Sequence, residues 1–336
     1  MSDWHGHFCS MPRVVHTSEY PRDTYAHSVA DPPRRVINVL PFTHEFHLLE
    51  TRVNVFADVV DLYVIVESNY TASGVPRDRL LLQRLQEGFL KQFQHKMLYV
   101  PLGYFPRNAR YNGWIMDALL RNYAAQQGLS RIKNLEENDV IVLNDADELP
   151  VREALLFLKV HRGYPEPVDF HLVHNVFGFF WLGSDMRSHA FGACSVGMLL
   201  HFFDWQLYKL RSASSEMSHN TDALNHFRYY HRGKISEWSF GKKATMEPSG
   251  WHCSWCFDPQ GIKTKLEGAH WSDLPRWGAF PSKTTEDYIR NLTVRGMWFD
   301  DRTPLVPAPP RVNVWFAPQY CLDHSERFAH LLDKPT

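Results

Sequence analysis

Residues 140–150 read VIVLNDADELP, four apolar residues that run straight into Asn144, Asp145, Asp147 and Glu148. The apolar half has the composition of a buried strand. Such a strand cannot end on clustered carboxylates unless something positive sits beside them, because like charges repel and an unpaired buried charge is costly. In open α/β sheets, ligands bind beyond the carboxyl ends of the strands. Carboxylates at i and i+2 of an extended chain project to the same side. Asp145 and Asp147 are therefore predicted to share a hard divalent cation, Mn²⁺ or Mg²⁺, completed by water and diphosphate oxygens. Capping of a following helix, or an ordinary acidic turn, accounts for most Asp-x-Asp sequences. The position of this one after the fourth strand of an alternating pattern sets it apart.

That pattern is read outward from the acidic stretch. RRVINVLPF (34–42), VVDLYVIVES (59–68) and KMLYVPL (96–102) are predicted strands. EFHLLETRVNVF, an amphipathic segment around 78–94, NGWIMDALLRNYAAQQG (112–128, closed by Gly128) and REALLFLKV (152–160) are predicted helices. Strands that are apolar throughout, alternating with helices, indicate an α/β fold with a mostly parallel sheet covered on both faces. After residue 165, aromatic-rich strands such as FHLVHNVFGFFW extend the same sheet and build one wall of a cleft. PLVPAPPRV (304–312) reads as a connector and CLDHSERFAHLL as a last helix. Residues 1–33, rich in Pro, His and charge, read as a stalk or linker, and 34–333 as one folded unit.

The 336 residues are 44% hydrophobic and 22% charged with a net charge of −1, a balance that suits a globular protein without long-range pull toward nucleic acid or anionic membrane. No apolar run approaches the roughly 18 residues that span a bilayer. MSDWHGHFCSMPRVV lacks the basic-then-apolar order of a signal peptide. The 11 Trp residues suit a surface that stacks on sugar rings, although core packing covers most of them. Of the five cysteines, Cys253 and Cys256 in CSWC have no second pair to make a structural zinc site. Structural disulfides are expected, with reduced buried thiols as the alternative. Asn69-Tyr70-Thr71 and Asn291-Leu292-Thr293 are glycosylation sequons, compatible with a secretory route. No Gly-x-Gly-x-x-Gly, P-loop or serine nucleophile elbow is present, which removes dinucleotide, NTPase and serine-hydrolase readings. Phosphohydrolases whose Asp pair closes the first strand are disfavoured, because about 100 residues of α/β pattern precede this pair.

RRVINVLPFTHEFHLLETR, VIVESNYTASG, NGWIMDALLR, DVIVLNDADELP, GFFW, GWHCSWCF and LPRWGAF occur in an order that resembles glycosyltransferase family 17 over about residues 34–333. The resemblance implies a GT-A-like nucleotide-diphosphosugar transferase fold, a UDP-GlcNAc donor and a divalent metal, usually Mn²⁺. It implies transfer to O4 of the β-linked core mannose of a glycoprotein N-glycan, giving the bisecting GlcNAc. Animal members are Golgi type II membrane proteins, so an N-terminal anchor is expected in the full-length protein. Trp4, Gly6 and Cys9 look like the tail of an EGF-like module, which would leave four cysteines for two disulfides.

By the same resemblance Asp145 and Asp147 are the metal pair, and Asn144 stands where animal members carry Asp. Glu153 is placed in a first helical turn, where the dipole favours it. Glu45 and Glu67, at the ends of the first two strands, are candidates for uridine contacts, with helix capping as the rival account of Glu45. Arg110, Arg121 and Lys265 are candidates to neutralise the diphosphate. His252 is either a third metal ligand or a structural histidine. Trp251, Trp255, Trp271 and Trp277 are candidates for an acceptor wall. Inversion requires one general base, for which Asp273 is the nominee and Glu148 and Glu267 are rivals. A non-catalytic carbohydrate-binding protein, a member with another glycan acceptor and a metal phosphohydrolase are the competing readings.

Overall fold

The computed structural model describes residues 4–5, 11–21, 27–241 and 247–336, with the backbone alone at 4–5, 11 and 186–191. Four parallel strands make the first half: β1 (Val36–Phe42), β2 (Leu62–Ser68), β3 (Met97–Leu102) and β4 (Val140–Leu143). They lie in the order β3–β2–β1–β4 and are joined by helices α1 (Phe46–Val55), α2 (Leu80–Gln86) and α3 (Trp114–Gln127). Period-two alternation explains the burial of both faces. Val36 and Leu40 of β1 pack with Leu49 and Val53 of α1, whereas Ile37 and Val39 pack with Met116 and Ala124 of α3.

The chain runs from β1 to β2 on one side and returns to β4 on the other. A crevice therefore opens at the carboxyl ends of β1 and β4, the switch point of the topology. Beyond β4 the chain forms β5 (Glu148–Pro150), α4 (Arg152–Val160) and the long hairpin β6 (Glu166–Val176) and β7 (Gly178–Ser195). Next come α5 (Val196–His201), α6 (Ala213–His219), α7 (Thr221–Tyr230), β8 (Ile235–Phe240) and β9 (Gly250–Ser254). Helices α8 (Pro259–Gly268) and α9 (Glu286–Arg295) and the short β10 (Val306–Pro307) complete the body. β7 joins the first half antiparallel to β4, so one mixed ten-stranded sheet, β3–β2–β1–β4–β7–β6–β9–β5 with β8 on β6 and β10 on β7, runs through the molecule.

Several expectations are corrected. VIVLNDADELP is not one strand: β4 stops at Leu143, the chain turns, and β5 pairs with β9 instead. The last helix is two short ones, Gln319–Asp323 and Ala329–Leu332. Within the segment read as a linker, Val14, Val15 and Tyr20 are buried in the core shared with α1 and α4. Cys253 and Cys256 form a disulfide, but Cys194 and Cys321 are free, buried in separate core clusters. Burial pushes the Cys321 thiol up to about 12, so it stays protonated. Gly6 and Cys9, and with them the EGF-like resemblance, lie outside the described residues.

Candidate active site

The acidic stretch is a turn, not the extended segment expected from its i, i+2 spacing. The Glu148 N–H donates to the Asp145 carbonyl at 3.0 Å, and the Cys253 N–H on β9 donates to the Asp147 carbonyl at 2.8 Å. Beneath the turn lies Arg52, fully buried on the core face of α1. Its Nη1 donates to Asn38 Oδ1 at 2.9 Å, and its Nη2 to the Asp145 carbonyl at 2.7 Å and to the Glu148 carbonyl. Burial lowers the Arg52 pKa to about 10, against the pull of nearby acids, so the guanidinium remains charged at neutral pH. Asn38 is itself tied to β4 through the Val142 carbonyl at 2.8 Å. One buried cation thus fixes β1, β4 and the turn relative to one another.

Further cations meet the carboxylates from above. Asp145 Oδ1 accepts from Arg121 Nη2 at 2.6 Å, and its Oδ2 lies 3.6 Å from Arg211. Glu148 accepts both Arg211 nitrogens, at 2.6 and 2.8 Å, and its Oε2 also accepts the Asp145 N–H at 2.9 Å. Asp147 Oδ2 accepts from Lys265 at 2.9 Å, while its Oδ1 lies 3.8 Å from His252 Nε2. Burial alone would raise both aspartates, but Arg121 and Arg211 hold Asp145 below the usual carboxylate range, and Lys265 and His252 hold Asp147 well below it. Burial would lower Lys265 and Arg211, yet their carboxylate partners outweigh it and raise both.

The donor chemistry around Asp147 suits a divalent cation: an ionised carboxylate with an imidazole 3.8 Å away. Asp145 faces Arg121 instead, and Asp145, Asp147 and His252 do not bring three ligating atoms within 4.8 Å of one another. His252 stacks on His174 at 5.3 Å and lies 3.1 Å from the Ser254 hydroxyl.

A cleft of about 260 Å³ opens beside the turn. Its lining includes Glu45, Arg77, Trp255, Lys265, His270 and Asp273. Glu45 accepts the Thr43 and His44 N–H groups at 2.9 and 3.0 Å and thereby shapes the loop after β1. Arg77 closes the same corner by donating to the Thr43 carbonyl at 3.0 Å and the Ser68 carbonyl at 3.1 Å. Trp255 has left-handed backbone (φ 60°) inside the disulfide-closed turn, and Lys265 Nζ stands 5.4 Å from its ring. Asp273 Oδ1 is 3.1 Å from His270 Nε2. Since His270 Nδ1 accepts the Ser272 N–H, Nε2 carries the proton that Asp273 receives.

Three candidates are placed elsewhere. Glu67 is fully buried and accepts the Leu81 and Leu82 N–H groups of α2 and the Tyr99 hydroxyl, so it caps a helix and does not line the cleft. Arg110 is exposed on the short helix Arg107–Arg110, away from the turn's contacts. Glu148, both oxygens engaged, braces the turn and is not a base facing the cleft. Of the tryptophans, Trp251 is core, and Trp271 is 52% exposed with Arg276 over its ring. Trp114, which the sequence does not single out as a stacking residue, is 62% exposed at the start of α3 and packs 5.1 Å from His270. Arg211 has no sequence signal, since YKLRSASSEM carries no motif. Arg52 did leave a signal, an arginine in the apolar row Leu48, Leu49, Arg52, Val53.

A sequence profile for glycosyltransferase family 17 matches residues 16–195, which include Arg52, Arg121 and the acidic turn. The chain is 40% identical to the human protein named β-1,4-mannosyl-glycoprotein 4-β-N-acetylglucosaminyltransferase, over 99% of this chain and 61% of that protein. It is 39% identical to the protein of that name from Rattus norvegicus, over 60% of its length. The chain therefore spans about three fifths of the length of the curated relatives it matches.

Proposed function

This chain belongs to glycosyltransferase family 17, and from that premise we propose that it moves GlcNAc from UDP-GlcNAc to O4 of the β-linked core mannose of glycoprotein N-glycans, leaving the bisecting residue. The observation that carries the reading is the acidic turn at the β1/β4 crevice, its two aspartates ionised and its cations beside a cleft. The same strand order supports a GT-A-like nucleotide-diphosphosugar fold. The names of the relatives support the donor sugar and the mannosyl acceptor.

A β linkage made from an α-linked UDP-sugar inverts the anomeric carbon. The bond from C1 to the phosphate oxygen breaks as the bond from C1 to mannose O4 forms, and the O4 proton passes to a base. Asp273 takes that role: its Oδ1 is held by the His270 N–H, which leaves Oδ2 to receive the proton. Lys265, Arg121 and Arg211, the cations on the two aspartates, neutralise the diphosphate as it departs. Asp147 and His252, with Asp145 beside them, would hold Mn²⁺ or Mg²⁺, which when bound supplies further neutralisation of the leaving UDP. The exposed rings of Trp114 and Trp271 offer stacking faces for the acceptor. The domain is assigned to the Golgi lumen, an oxidising compartment that suits the Cys253–Cys256 disulfide. None of the described helices is long and apolar enough to cross a membrane.

Incubation with UDP-GlcNAc, Mn²⁺ and a biantennary N-glycan is expected to add one GlcNAc mass and release one UDP. Asp273→Asn is expected to abolish transfer while UDP still binds in the presence of Mn²⁺. Near-normal turnover in that variant would remove Asp273, and UDP release without a heavier glycan would remove the transferase reading.

A further inference from the structure

At the opposite end of β4 from the acidic turn, three residues from separate parts of the chain meet. Glu137 lies in the loop before β4, His201 ends α5, and His231 follows α7. Glu137 Oε1 is 2.9 Å from His201 Nε2, and the His201 and His231 rings lie face to face with centroids 3.4 Å apart and planes 14° apart. One ligating atom from each falls within 4.8 Å of the others, and among the described residues this is the one trio of His, Cys, Asp or Glu that does so. We propose that Glu137, His201 and His231 bind a zinc-class divalent cation, at a site separate from the acidic turn.

A simple ion pair would need only Glu137 and His201. His231 adds a second imidazole nitrogen to the same small volume, in face contact with the His201 ring. Two imidazoles and one carboxylate form a borderline donor set that suits Zn²⁺ far better than Mg²⁺, with a fourth position left for water. The backbone beneath each ligand is pinned. The Gly197 N–H donates to the Glu137 carbonyl at 2.9 Å, which ties the start of α5 to the loop that carries Glu137. The N–H groups of His231 and Gly233 both donate to the carbonyl of Phe227, a buried residue of α7. Coordination therefore requires only that one ring swing out of the stack about χ2, a broad and soft torsion. Arg232 and Lys234, which line the adjoining cavity with Glu137 and His231, oppose the cation and moderate its affinity.

The site would fasten the segment between α5 and β8 to the start of β4. That segment carries Arg211, which holds Glu148 at the other end of the strand. Metal binding is thus expected to stabilise the fold from a distance, without contact with substrate.

The test uses the whole chain in an Asp145→Ala/Asp147→Ala background, so that the acidic turn contributes no sites. Calorimetric titration with Zn²⁺ should show one equivalent bound, Co²⁺ should give visible d–d absorption, and the melting temperature should rise with Zn²⁺. Each signal should vanish in His201→Ala/His231→Ala, and Glu137→Gln should weaken Zn²⁺ by at least roughly tenfold, the loss that even a partner one shell further out brings, while both variants melt like the parent in EDTA. Zinc uptake undiminished in the double-histidine variant, or no uptake by the parent in a large excess of Zn²⁺, would overturn the assignment.

Discussion

Replacing Arg52 by methionine keeps an unbranched apolar stem in place of the arginine's aliphatic part and removes its five donors. In the structure those donors serve three acceptors: Asn38 Oδ1, the Asp145 carbonyl and the Glu148 carbonyl. All three lose a charged donor, but the Asp145 carbonyl keeps its bond from the Glu148 N–H, so two buried acceptors bear the loss. Each such loss costs about 1–3 kcal/mol, and a buried charge cluster deprived of one partner sits at the upper end. The removed guanidinium had its own desolvation cost, visible in its lowered pKa, and this offsets part of the loss. The net expectation is a destabilisation of about 3 kcal/mol, read from urea unfolding, together with weaker UDP binding because the turn loses its floor. Arg52→Lys should recover part of the stability, since an ammonium keeps the charge but cannot span three acceptors on two strands. An Arg52→Met protein within 1 kcal/mol of the parent (about the cost of one lost hydrogen bond) and with unchanged UDP affinity would refute the claim that this guanidinium sets the turn.

A double-mutant cycle on Glu148→Gln and Arg211→Met should give a coupling of about 2 kcal/mol, since the pair is bidentate with Glu148 buried but Arg211 partly open; coupling near zero would detach the 207–212 segment from the site. Glu67→Gln should cost about 1–2 kcal/mol of stability and leave UDP affinity intact, whereas a tenfold loss of UDP binding would return Glu67 to the nucleotide site. Burial, with His47 beside it, lowers His330 to about 4 from 6.5, so the unfolded chain takes up a proton that the folded chain refuses. Its contribution to stability is therefore complete above pH 6.5 and falls as pH drops toward about 4, and His330→Asn should flatten that slope; an unchanged slope would point to other groups.

The elements legible in the sequence were those whose signal is local. β1 to β4 announce themselves as apolar runs, and α3 by its period and Gly128. The switch of VIVLNDADELP from strand to turn was not legible, because it depends on β5 finding β9 about 100 residues later. Glu67 misled for a related reason. At the end of a strand a carboxylate can face a ligand or a helix, and the amides that claimed it are 14 and 15 residues away, across a loop. Arg52 could have been found from its apolar neighbours alone, since a charge on that face must have buried acceptors.

The question raised by the acidic stretch was what positive charge sits against it, and the distances in sequence explain why no motif could answer. The partners of the turn come from 93 residues before Asp145, 24 before it, 63 after Glu148 and 118 after Asp147. With Glu45, which lies 4.0 Å from Lys265, and Asp117, which pairs with Arg121, five carboxylates (Glu45, Asp117, Asp145, Asp147, Glu148) meet four cations (Arg52, Arg121, Arg211, Lys265). A site so nearly balanced has little net pull on a lone cation or a lone anion. Adding a diphosphate breaks the balance in one direction and adding a divalent cation breaks it in the other, whereas the two together largely preserve it. On the proposed function, the paired charges of the turn thus favour a metal and a nucleotide that enter as one unit, and they hold Asp145 and Asp147 ionised and in place before either arrives.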